Sequence, residues 1–83
     1  MNKKDNILDS KMIPPRSKSR LYIDGEFSTK NRHPRYSVEI SATVKSMVEF
    51  EEKMIGSKNK YVVVVDVHNR NDSPAFVTLK KNE

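Results

Sequence analysis

The chain has 83 residues, 16 Lys or Arg against 11 Asp or Glu, a formal net charge of +5, and no cysteine. This length allows one domain with a small core, so a homodimer is an expected means of added stability. The lack of cysteine excludes a disulfide framework and thiolate chemistry. The longest apolar run, residues 61–65, is far shorter than the roughly 20 residues of a membrane-spanning helix. We therefore expect a cytoplasmic protein without a membrane partner.

The positive charge is distributed unevenly along the sequence. Residues 1–35 contain nine Lys or Arg and four acidic residues, whereas residues 36–83 contain seven of each. Pro14 and Pro15 disfavour a helix, and few apolar residues precede them. We therefore predict a flexible basic arm at 1–19 and one small domain at 20–83. The arm has two interpretations, electrostatic binding or a solvated tail that only keeps the protein soluble.

The first predicted element is a β-hairpin. Residues 21–23 and 26–28 favour strands, and Asp24-Gly25 between them is a strong type I′ turn signal. The following residues, 29–35, have no apolar side chain except that of Pro34, and they predict an exposed basic loop.

Residues 36–45 alternate apolar and polar side chains, which predicts a half-buried strand. Two interpretations exist for residues 46–55. Ser46 and Glu49 fit a capping box before apolar residues at helical spacing, which favours a short helix. The alternative is a continued strand, because Val48 and Phe50 extend the even-numbered apolar face. We favour the helix.

Residues 61–67 are nearly all valine and predict a central strand. Residues 68–74 form a loop rich in Asn and Asp, and 75–81 predict a last strand. The predicted fold class is therefore α+β, a small antiparallel sheet of about four to five strands with one short helix packed on it, in the order β-β-β-α-β-β.

Neither catalysis nor metal binding is predicted. The two histidines, His33 and His68, have no nucleophile placed beside them by the sequence. A metal-independent endoribonuclease toxin remains the enzymatic alternative, because such an enzyme needs only His, Arg, Lys and Tyr. Residues 66–76 resemble the calcium-binding linker of cadherin repeats, but Arg70 departs from that pattern and would repel a cation. We predict no metal and no cofactor.

Cations and aromatic residues that lie close together in the sequence favour nucleic-acid binding. Cations neutralise phosphates, and exposed aromatic rings stack on bases. We expect RNA more than DNA as the partner. The candidate binding residues combine both types: Lys18, Arg20, Tyr22, Lys30, Arg32, Arg35 and Tyr36.

In its small size, basic charge and Lys/Asn-rich composition, the chain resembles phage-encoded proteins that blunt host defences. Among these are RNA-binding proteins that inhibit toxin–antitoxin ribonucleases. The resemblance covers composition and no motif, and it implies a non-catalytic RNA-binding inhibitor acting in the host cytoplasm. The alternative is a protein-binding inhibitor or adaptor that docks its basic residues on an acidic surface of a partner enzyme, or pairs an edge strand with it.

Overall fold

Six antiparallel strands form two three-stranded sheets in the computed structural model, which describes residues 6–82. The strands are β1 (Ile7–Ile13), β2 (Ser17–Phe27), β3 (Tyr36–Ser41), β4 (Val48–Ser57), β5 (Lys60–Asn69) and β6 (Ala75–Lys81). The first sheet has the order β1-β6-β3 and the second has the order β2-β5-β4. Within residues 6–82 no helix is long and apolar enough to cross a membrane.

The predicted α+β class is wrong, because the fold is nearly all β and no helix packs on either sheet of the described chain. The predicted helix at 46–55 is a 3₁₀ turn, Lys45–Met47, followed by β4. β4 pairs with β5 in continuous register from Val48–Asn69 to Ser57–Lys60. The valine-rich β5 needs neighbours on both edges, and this tertiary pairing outweighs the local capping signal. The alternative interpretation as a strand was the correct one.

The core lies between the two sheets and is built from the alternating side chains of the central strands. β5 contributes Val63, Val65 and Val67, and β6 contributes Val77 and Leu79, all of them buried. The predictions that residues 61–67 form a central strand and that 75–81 form the last strand are confirmed. This alternation gives each sheet an apolar inner face and a more polar outer face, although Val64 of β5 is also buried on the outer face of the second sheet.

Asp24-Gly25 does not form the predicted hairpin turn. Residues on both sides belong to β2, and the register with β5 shifts between Ile23 and Phe27. Gly25 has a φ of +115°, so the positive φ expected there is present, but it serves a bulge. The long partner strand β5 explains the difference, because it pairs with β2 both before and after the bulge.

Residues 7–19, which the sequence analysis assigned to a flexible arm, are part of the two sheets. Ile7–Ile13 forms β1 on the edge of the first sheet, and β2 begins at Ser17. Two side chains of β1 also cover the free edge of β2. The Asp9 carboxylate accepts a hydrogen bond from the Tyr22 N–H (2.9 Å), and the Lys11 ammonium donates to the Arg20 carbonyl (3.2 Å). Residues 1–5 of the predicted arm lie outside the described residues.

The segment that resembles a calcium linker is held by two buried asparagines. The Asn69 amide donates to the carbonyls of Ile13, Pro14 and Ser73 at 2.9–3.1 Å. The Asn71 amide bonds both backbone groups of Val44. The side-chain oxygen of Asn69 accepts from the backbone N–H of Asn71. These bonds join the β1–β2, β3–β4 and β5–β6 connections, so the asparagines serve to fasten loops together.

Candidate nucleic-acid interface

The basic loop 28–35 lies at one end of the molecule and is fastened at both of its ends. The Thr29 N–H donates to the Lys58 carbonyl in the β4–β5 turn (3.1 Å). The Asn82 N–H donates to the Arg35 carbonyl (2.9 Å). We call this end the basic pole and define it as the loop 28–35, the turn 57–60 and residues 81–82. The loop is therefore positioned on the sheet ends by backbone hydrogen bonds.

The side chain of His33 anchors the loop from inside. Its ring lies 6.0–6.4 Å from the ring centroids of Phe27, Tyr36 and Tyr61. Its Nδ1 is 3.3 Å from the Tyr61 hydroxyl, and its Nε2 is 3.9 Å from a carboxylate oxygen of Glu52. Only 15% of the His33 side chain is exposed. This histidine therefore packs in an aromatic cluster and leaves the polar side chains of the loop facing outward.

Five cations of the basic pole are exposed and have no ion pair among residues 6–82. Three of them were predicted from the sequence, and two come from the adjoining turn and the last strand. They are Lys30, Arg32, Arg35, Lys58 and Lys81. Lys60 lies in the same turn, but its ammonium is 3.7 Å from the Glu26 carboxylate. A cluster of unpaired cations on a small surface produces a positive potential that attracts polyanions.

Tyr36 is held away from solvent. Its hydroxyl donates a hydrogen bond to the Glu52 carboxylate. Burial, followed by this hydrogen bond, raises the pKa of the Tyr36 hydroxyl above its usual value. The ring also packs against the core and next to His33. Tyr36 therefore supports the loop, and the geometry does not present its ring for stacking on a base.

Lys18, Arg20 and Tyr22 alternate along β2 and share its outer face. Arg20 makes two hydrogen bonds to the Asp66 carboxylate, at 2.6 and 3.1 Å, and the Lys53 ammonium lies 3.0 Å from the same carboxylate. Arg20, followed by Lys53, lowers the pKa of Asp66 to about 2. Arg20 is therefore engaged within the sheet, whereas Lys18 is exposed and Tyr22 is 56% exposed.

The structure does not bring all the predicted residues to one place. Lys30, Arg32 and Arg35 meet at the basic pole, but Lys18 lies near the other end of β2. Along a strand at about 3.3 Å per residue, Lys18 is roughly 30 Å from the end of β2 at Phe27. Tyr22 lies between them and is the most exposed aromatic side chain of the protein. The outer face of β2 therefore connects the basic pole to Lys18.

Sequence reasoning missed Lys58 and Lys81 as members of the site. The signal for Lys58 was present, because Ser57-Lys58-Asn59 resembles a turn and a turn exposes its side chains. What the sequence did not give was the packing of this turn beside the loop 28–35. That proximity follows from the pairing of β4 and β2 with β5.

No protein-family model matches the chain, and no solved structure matches it.

Proposed function

We propose that this protein is a non-catalytic, cytoplasmic RNA-binding protein whose basic pole grips the phosphates of a single strand. The observation that carries the proposal is the cluster of five exposed cations without an acidic partner in the described chain. Each Lys or Arg that neutralises a phosphate releases counterions, so such a cluster supplies affinity for any nucleic acid.

The shape of the site favours a single strand over a duplex. The basic pole lies at one end of a molecule that measures 41 × 34 × 16 Å, and within residues 6–82 no α-helix is available to enter a major groove. A single strand can bend around such an end and continue along the outer face of β2. There the exposed ring of Tyr22 offers a stacking surface, and Lys18 offers a further phosphate contact.

RNA is the favoured form of that strand, because most sequence-specific RNA recognition uses unpaired loops and ends whose bases are free to stack. A protein bound to such a segment would deny a ribonuclease access to it. Such protection of RNA is the basis for the proposed role as an inhibitor of a host defence ribonuclease.

The first test is a double substitution in the loop, Arg32→Ala with Arg35→Ala. Fluorescence anisotropy of a labelled single-stranded RNA, titrated at several salt concentrations, should show weaker binding to all sequences. Because each phosphate contact on a single strand contributes about 0.7 to the slope of log K against log salt, the slope should fall by about 1.4.

A matched control is Arg16→Ala with Arg70→Ala, which removes the same charge. Both arginines lie at the opposite end of the sheets and are already paired, Arg16 with Asp72 at 2.7 Å and Arg70 with Glu49 at 3.3 Å. This control should bind RNA with an almost unchanged slope. Equal losses in the two double variants would show that only net charge matters and would contradict a defined site.

A protein partner is the alternative for the same surface, since a basic pole also fits an acidic surface of an enzyme. The same titration distinguishes the two. Absence of RNA binding even at low salt would reject the proposed function and assign the basic pole to protein docking. A duplex DNA of matched length serves as the second probe, and we expect it to bind more weakly than the single-stranded RNA.

A further inference from the structure

The strand β4 has an edge that no described segment covers. It pairs with β5 on one side only, and every residue from Glu49 to Ser57 is exposed. β4 is ten residues long, its register has no bulge, and it contains no proline. These are the features that sheet proteins avoid at exposed edges, because an unpaired row of backbone N–H and C=O groups accepts another strand.

The other three edge strands are protected. The edge of β2 is covered by Asp9 and Lys11, as described above. β1 has an irregular register between Ile7 and Asp9, and β3 has only six residues. The unprotected edge is therefore a feature of β4 and is not common to all the edge strands of this small fold.

Apolar side chains accompany the open edge of β4. Phe50 and Met54 lie on the face of β4 that is directed toward the other sheet, yet they are 51% and 54% exposed. Their cross-strand neighbours Val67 and Val63 are buried in the core. The edge of β4 thus offers backbone hydrogen-bonding groups together with apolar area that a further strand would cover.

The sequence of β4 is complementary to itself when two copies run antiparallel about a two-fold axis at Glu52. In this register Phe50 lies opposite Met54 of the partner subunit, so apolar side chains meet on the inner face. Glu51 lies opposite Lys53 of the partner subunit, so opposite charges meet on the outer face. Each pairing occurs twice because of the symmetry.

Neighbouring registers place a glutamate opposite an apolar side chain at the centre of the inner face, so they are less complementary there. An axis at Glu51 places Phe50 opposite Glu52 of the partner subunit, and an axis at Lys53 places Glu52 opposite Met54 of the partner subunit. The register centred on Glu52 has two unfavourable elements: the two Glu52 carboxylates face each other across the axis, and Glu49 lies opposite Ile55 of the partner subunit. Each Glu52 carboxylate accepts a hydrogen bond from Tyr36 of its own chain and lies 3.9 Å from Nε2 of its own His33, so it has partners within its own subunit.

From these observations we infer that β4 is the contact surface for a second copy of this chain. Pairing of the two β4 strands joins the second sheets of both copies into one six-stranded sheet with the order β2-β5-β4-β4-β5-β2. Single-strand pairing buries a small area, at the low end of specific interfaces, so the dimer forms reversibly with concentration. The inference does not depend on RNA binding.

Charge reversal at β4 tests the inference by sedimentation equilibrium of the full chain over a range of concentrations. Glu51→Lys alone makes both outer pairs lysine against lysine, and Lys53→Glu alone makes both pairs glutamate against glutamate. Each variant should dimerise roughly tenfold more weakly than the wild type, or remain monomeric. An equimolar mixture of the two should form a heterodimer, because every outer pair is then of opposite charge.

The control is Glu26→Lys, which changes the net charge as Glu51→Lys does but lies in β2, on the other side of β5. It should dimerise as the wild type does. Circular dichroism of each variant verifies that the strands still form, which matters for Lys53→Glu because Lys53 also pairs with Asp66. A wild type that stays monomeric at millimolar concentration would overturn the inference, as would dimers of unchanged strength in Glu51→Lys or no recovery on mixing.

Discussion

At the scale of single residues, Asn69 is the polar group with the largest structural role. It is fully buried, and its side-chain amide makes five hydrogen bonds to backbone and side-chain groups in two connections, β1–β2 and β5–β6. A buried polar group is stabilising only while its partners are present, so the same arrangement makes the site sensitive to substitution.

We therefore expect Asn69→Ala to lower the free energy of unfolding by about 2–3 kcal/mol, because it leaves buried carbonyls without donors. Urea denaturation followed by circular dichroism measures this change. Asn31→Ala, at an exposed loop position, is the control and should change stability by less than about 0.5 kcal/mol. Similar effects of the two substitutions would mean that solvent satisfies the carbonyls when Asn69 is absent.

The ionisation of Asp66 makes the free energy of unfolding depend on pH. Its pKa is lowered from 3.8 in the unfolded chain to about 2 by Arg20 and Lys53. A lowered pKa in the folded state means that the contribution is fully present above pH 3.8 and is lost as the pH falls toward 2. The difference in unfolding free energy between wild type and Asp66→Asn should therefore shrink over that interval.

Urea denaturation of both proteins in steps from about pH 6 to about pH 2 checks this expectation. Asp24→Asn, an exposed aspartate without an ion pair among residues 6–82, is the control and should follow the wild type throughout. A constant difference between wild type and Asp66→Asn across the whole range would contradict the ion pairs seen at Asp66.

At the scale of elements, Gly25 in β2 and Gly56 in β4 have positive φ angles, and they differ in how well an added Cβ would be tolerated. A Cβ at Gly56 would lie in severe overlap with the backbone carbonyl oxygen of Lys60, and φ there is +126°. A Cβ at Gly25 would lie 3.3 Å from the ring of Phe27, a side chain that can move. A side chain at Gly56 would therefore clash with backbone atoms, whereas a side chain at Gly25 would meet a ring that can rotate.

Gly56→Ala should destabilise the protein by about 2–3 kcal/mol, since it adds an overlap with backbone to the strain of the positive φ. Gly25→Ala serves as the comparison and should cost about 1–2 kcal/mol, because it carries the φ strain and only a soft contact. Thermal unfolding of the two variants ranks them. A larger loss for Gly25→Ala would contradict the close approach of Lys60 to Gly56.

The elements that the sequence predicted well are those whose burial pattern is unambiguous. Strand β3 shows clean alternation, and β5 is a valine run, so both were recognised. The elements that failed depend on partners far away in the chain. Nothing near Ile7–Ile13 reveals that β6 will pair with it, and nothing near Ser46 reveals that β5 provides an edge stronger than a local helix cap.

The same distinction explains which parts of the candidate site could be predicted from the sequence. The exposed loop with Lys30, Arg32 and Arg35 could be recognised from its composition alone. The ion pair that engages Arg20 could not, because Asp66 is 46 residues away and becomes a neighbour only through the pairing of β2 with β5. The role of Tyr36 likewise depends on Glu52, which is 16 residues away and becomes a neighbour only when the two sheets pack together.

At the scale of the whole molecule, the fold separates two kinds of surface. Five exposed cations without an ion pair in the described chain lie at the basic pole, where the loop 28–35 and the turn 57–60 meet, while Lys18 and Lys45 lie nearer the other end. At the opposite end Arg16 and Arg70 are matched by Asp72 and Glu49, and the buried asparagines hold the connections together. One end is thus arranged for internal stability, and the other is left with charge that only an external anion can neutralise.

The order in which the strands pair has a consequence for how the chain acquires its structure. Only β4 and β5 form a hairpin of neighbours, while β1 pairs with β6, the most distant strand of the described chain. Loop-closure entropy opposes such distant contacts, so folding should be slow for a protein of this size and begin at the β4–β5 hairpin. During synthesis β1 and β2 therefore emerge from the ribosome well before their partners, so that β2 stays unpaired until β5 has been made and β1 until β6 has been made.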